Sequence, residues 1–117
     1  MGLAIQDRMA VAAHPNEVDR RRVERALKSR KRYRYVSPSV APVTGGYRVE
    51  SPCCSRKVDP DGGVIDVALL LHDPANRRWR LFCKDHGGDV WRLHSTYERI
   101  AAALDVLGED PDRAFWQ

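Results

Sequence analysis

Between Pro15 and Arg32 the apolar positions recur at helical spacing. Val18, Val23, Ala26 and Leu27 form a narrow stripe on one side, and Arg20, Arg21, Arg25, Lys28, Lys31 and Arg32 spread over the opposite arc. The pattern predicts a helix from Asn16 to Arg32. Asn16 is placed to cap it and Asp19 to close a capping box three residues on. Arg22 and Arg30 fall at or inside the apolar stripe, where they must snorkel or find partners.

After this segment the period changes to two. "RYRYV" alternates Tyr33 and Tyr35 with basic residues and reads as a strand. The Pro- and Gly-rich "SPSVAPVTGG" reads as a loop leading to the strand "YRVE", in which Tyr47 and Val49 share a face. "VIDVALLL" places Ile65, Val67, Leu69 and Leu71 on one side and Val64, Asp66, Ala68 and Leu70 on the other. That is the pattern of a central strand covered on both faces apart from Asp66. "WRLFCK" puts Trp79, Leu81 and Cys83 opposite Arg80, Phe82 and Lys84, and "VWRLH" reads as a short last strand. Asp, Pro, Asn and Gly in "HDPANRR" and "DHGGD" mark the turns between them.

Helical spacing returns in "TYERIAAALDVL", with Tyr97, Ile100, Ala101, Leu104 and Leu107 on one stripe. Ser95 and Glu98 form a capping-box signature before it, and Gly108 sits where a helix end is expected. The expectation is an α+β fold: an N-terminal basic helix, a meandering antiparallel sheet of four or five strands and a C-terminal helix. Residues 1–13 show neither period nor cap and read as a flexible N-terminal arm, with 14–117 a single domain.

Charge alters this picture in one place. The chain of 117 residues has a net charge of +4, yet residues 20–34 hold nine Lys or Arg and one Glu, a local +8. The rest of the chain carries eleven basic and fifteen acidic side chains, so the excess is a single segment on a mildly acidic domain. Arginine makes bidentate phosphate contacts, and tyrosines between arginines can stack on unpaired bases. Arg20, Arg21, Arg25, Lys28, Lys31, Arg32, Tyr33, Arg34 and Tyr35 are therefore the candidate nucleic-acid-binding residues. The alternative is a solvated face, or a surface docking an acidic protein or a second copy. Asp105, Glu109, Asp110 and Asp112 near the C-terminus offer an internal counter-charge.

The metal candidates are Cys53, Cys54, Cys83 and His86. Zinc takes four N or S ligands, often in pairs two to four residues apart; "CKDH" fits that spacing and "CC" does not. The meander brings the "PCC" end of one strand and the Cys83 end of another to the same end of the sheet. No cofactor is expected: core packing of the thiols is the favoured account, and a zinc site is the alternative. A nuclease-type site built on Asp66 and Lys84 lacks its second acid, because Phe82 occupies that position; Asp66 is expected to face solvent or pair with an arginine such as Arg80. No nucleophile elbow, zinc-protease motif or P-loop is present, so a binding module is favoured over an enzyme. The N-terminus lacks the basic and apolar regions of a secretory signal, and Gln6 breaks the myristoylation pattern. Three cysteines without a disulfide framework point to a reducing, cytoplasmic compartment, and no apolar run suits a membrane.

Overall fold

The computed structural model describes residues 13–30, 37–52 and 63–116. Seven elements follow one another: α1 (Glu17–Leu27), β1 (Ser39–Val43), β2 (Gly46–Pro52), β3 (Val64–Asp73), β4 (Arg78–Asp85), β5 (Val90–Tyr97) and α2 (Ile100–Glu109). The strands pair in sequence order, each antiparallel to the next, so the sheet is a five-stranded meander. Both helices pack on one face of it, and Val23, Leu27, Ile100, Ala103, Leu104 and Leu107 share one core with the sheet.

That core is built from one side of each strand. Tyr47 and Val49 of β2, Ala68 and Leu70 of β3 and Trp79 and Leu81 of β4 are directly paired across the sheet or buried beside one another. Their opposite neighbours Arg48, Leu69, Phe82 and Arg80 are half-buried or exposed. β3 is indeed the central strand, but the described helices cover only one of its faces. Its expected alternation also breaks. A register shift between Val49 and Glu50 leaves Val67 as the extra residue, and Glu50 pairs with Asp66. The bulge reverses the phase, so Asp66 lies on the open face with Leu69 and Leu71 rather than with Ala68 and Leu70.

Three local expectations are corrected by pairing or packing elsewhere. "SPSVAPVTGG" holds a strand, β1, which tolerates Pro42 because an edge strand need not donate on its outer side. The β1–β2 turn needs its glycines: Gly45 has φ +84, and a Cβ on Gly46 would lie 1.8 Å from the Leu70 carbonyl oxygen. Ser95 and Glu98 do not cap α2, because β5 runs on to Tyr97, which pairs with Trp79; Arg99 takes the cap position without a side-chain bond. Gly108 lies inside α2, and the left-handed residue that ends the helix is Asp110, φ 43.

Asp110 is fully buried and explains how the chain closes. Its carboxylate accepts the backbone N–H groups of Ala114, Phe115 and Trp116 at 2.8, 3.2 and 2.8 Å. Those bonds fold the tail back so that Phe115 and Trp116 enter the core, where the Trp116 indole N–H donates to the Leu107 carbonyl at 2.9 Å.

Candidate nucleic-acid interface

α1 begins where the sequence places it. Asn16 Oδ1 accepts the Asp19 N–H at 2.8 Å, and Asn16 Nδ2 donates to Asp19 Oδ2 at 3.0 Å. The helix start is also bolted to the sheet. The buried Tyr47 hydroxyl accepts the Asn16 N–H at 2.9 Å and lies 3.2 Å from His14 Nδ1. Burial pushes the Tyr47 phenol up, which keeps its proton available to the Asn16 carbonyl or to His14. His14 stacks edge-on against Trp79 with 4.5 Å between ring centroids and lies 4.9 Å from the His72 ring. Burial is the main cause holding the His14 pKa below its ordinary 6.5. Asp19 opposes that effect and His72 adds to it.

The helix ends at Leu27, earlier than the expected Arg32. Ser29 and Arg30 close a tighter turn by donating N–H bonds to Ala26 and Leu27. The Arg30 side chain is the reason this end is stable. It is 3 % exposed, donates from Nη1 to the Leu27 carbonyl at 2.7 Å and places its guanidinium 4.8 Å from the Trp116 ring centre. A cation at the carbonyl end of a helix, lying over an indole, is favourable on both counts. Arg30 is therefore part of the core rather than of a binding face.

The remaining basic residues of α1 divide into two groups. Arg20 contacts Glu17 and Glu24, Arg21 donates to Glu17 at 3.0 Å, and Arg22 pairs with Asp19 at 3.2 Å. Hydrogen bonds from Arg20 and then Arg21 draw the Glu17 carboxyl down to about 2. These are one-turn pairs on the helix's own surface, so the counter-charges come from α1 itself. Of the C-terminal acids, Asp110 accepts backbone N–H groups and Asp112 faces His94 at 3.9 Å. Arg25 and Lys28 are exposed and have no carboxylate partner among the described residues. With Arg21, which is 70 % exposed, they form an outward ridge at one-turn intervals, opposite the buried Val23 and Leu27. Lys31, Arg32, Tyr33, Arg34 and Tyr35 lie outside the described residues.

The metal candidates are separated by the same limit, since Cys53 and Cys54 also lie outside the described residues. Cys83 is a free thiol, half-buried against the core and paired in register with Ala68, on the face shared by Trp79 and Leu81. His86 lies in the β4–β5 turn, where burial, and then the Lys84 charge, lower its pKa against the pull of nearby aspartates. Among the described residues no group of three or more His, Cys, Asp or Glu is placed to hold a metal ion. No described helix is long and apolar enough to cross a membrane.

One polar cluster was half legible. Asp66 pairs with Lys84 at 3.2 Å and Arg48 at 3.7 Å, not with Arg80, which binds Asp73 at 2.9 Å. Lys84 is nearly buried; burial works against its charge, but hydrogen bonds to Asp89 and Asp66 prevail and raise its pKa. Its Nζ also lies 4.8 Å from the Trp91 ring centre. The bulge that turns Asp66 onto this face left no local sign in the sequence.

Residues 11–117 match the family model described as "Domain of unknown function (DUF3024)", and the chain belongs to that family. Nothing matches among curated proteins or among solved structures.

Proposed function

We propose that the protein is a binding module that holds nucleic acid, without strong sequence preference, on the outer ridge of α1 and the basic segment that follows it. The observation that supports this most is the exposure of Arg25 and Lys28, without carboxylate partners among the described residues, one turn beyond Arg21. They lead directly into Lys31, Arg32, Tyr33, Arg34 and Tyr35, whose composition suits phosphate contact and base stacking. The intrahelical pairs of Arg20, Arg21 and Arg22 reduce the free charge of the ridge, so affinity should come from a few phosphate contacts and be modest.

The test is oligonucleotide binding as a function of salt. Replacing Arg25 and Lys28 with Gln removes two cations without breaking an ion pair. The log–log slope against salt should become shallower by about 1.5, because each phosphate contact contributes roughly 0.7–0.9. An unchanged slope, or a wild-type protein that shows no salt-dependent binding at low ionic strength, overturns the reading.

A second reading, docking of a protein surface, has its own support: Leu93 and Val90 are 55 % and 45 % exposed on the strand farthest from β1.

A further inference from the structure

The two edges of the sheet are protected very differently. β1 has five residues, one of them Pro42, and lies beside α1. Short length, proline and cover are the usual means of preventing edge pairing. β5 has eight residues with no proline or glycine, and none of its residues is fully buried. β4 is the one strand that pairs with it, and among the described residues no further backbone hydrogen bond reaches it. An edge of this kind carries unmet donors and acceptors along most of its length.

The side chains of β5 point to the partner. Trp91 and Leu93 lie on the open face, in register with Lys84 and Phe82. Between Val90 and Tyr97 the only Lys, Arg, Asp or Glu is Arg92, and Asp85 holds its guanidinium at 2.9 Å. A strongly acidic or basic partner finds no net charge to match here, whereas a second copy brings the same neutral, apolar edge. The bulge at the Leu81–Phe82 step inserts His94, which lies against Phe115 with 5.0 Å between ring centroids. That leaves Val90–Leu93 as the longer regular stretch of this edge.

We propose that β5 pairs antiparallel with β5 of a second copy across a two-fold axis. The two sheets join into one of ten strands, and Trp91 and Leu93 of both copies meet on the open face. A two-fold axis perpendicular to the sheet makes the pairing antiparallel and keeps the two open faces continuous. The interface lies at the opposite edge of the sheet from β1, the strand beside α1, so it leaves the basic ridge free.

Sedimentation equilibrium of the full chain without nucleic acid tests this, paired with amide hydrogen exchange. The wild type should be a reversible dimer in the micromolar range, with Val90–Leu93 amides protected like those of the interior strands. Leu93→Lys should weaken association at least about tenfold, since it puts a cation from each copy into the apolar contact made by Trp91 and Leu93. Val90→Lys, at a second exposed position of the same stretch, should weaken it too, while Leu71→Lys on the open face away from the edge should not. Cooperative melting of the monomeric variants shows that they fold. A wild type that is monomeric throughout, or a Leu93→Lys protein that dimerises normally, overturns the proposal. If Leu71→Lys dissociates the dimer and Leu93→Lys does not, association is by the face rather than the edge, and the proposal also fails.

Discussion

The two faces of the one sheet use the same alternation for different ends. On the helix-covered face, Tyr47, Val49, Leu70, Trp79 and Leu81 sit under α1, α2 and the C-terminal tail and are at most 5 % exposed. On the open face, Leu69, Leu71, Phe82 and Trp91 are interleaved with Arg48, Glu50, Asp66 and Lys84, whose ion pairs run along β2 (Arg48 to Glu50) and across the strands to Asp66. Both faces contain apolar residues at the same spacing, so spacing does not decide which one becomes the core. The helices decide it, by supplying apolar stripes that fit one side. The open face keeps its carboxylates and cations mutually satisfied and its leucines half-wet, as a one-sided antiparallel sheet does.

The contrast breaks most sharply at neighbouring positions of β4. Leu81→Ala removes a side chain with no solvent exposure and should cost about 2–5 kcal/mol in denaturant melts. Phe82→Ala, one residue on, removes a larger side chain from a partly solvated site and should cost no more than about 1.5 kcal/mol. Comparable losses at both sites would show that the open face is covered as well.

A smaller effect probes the polar bolt between α1 and the covered face. Tyr47→Phe keeps the ring but leaves the Asn16 N–H without its acceptor, which should lower stability by about 1–3 kcal/mol. Faster exchange of amides at the start of α1 should accompany it, whereas a purely packing role would leave them unchanged.

The smallest effect lies on neither face. Glu17 has a folded pKa near 2 against an ordinary 4.5, so folding favours its ionised form. Its contribution is complete above pH 4.5 and is lost as the pH falls toward 2, because the unfolded chain then binds the proton first. Glu17→Gln should flatten the acid limb of the stability profile in that window only. Added salt should shrink the difference, since these pairs are exposed.

The course of the chain through β2, β3 and β4, the cap at Asn16 and the existence of both helices were legible because each has a local cause. Alternation of apolar and polar residues makes strands, Asn followed by Asp three residues on starts a helix, and Asp, Asn and Gly make turns. The candidate ridge was legible in the same way, because Arg21, Arg25 and Lys28 share a helical face whatever the fold. What sequence reading missed was decided between distant residues. The Ser95–Glu98 cap gives way to the pairing of Tyr97 with Trp79. Pro42 enters a strand because it falls on an edge. Arg30 leaves the basic set because Trp116, brought in by Asp110, offers it a ring and a buried site. By itself, then, the sequence determined most element types, the cap at Asn16 and the charge of α1. Only the tertiary structure decided which face is core, which arginines are free and which edge is open, because those depend on partners tens of residues away whose combined contacts outweigh any single local preference.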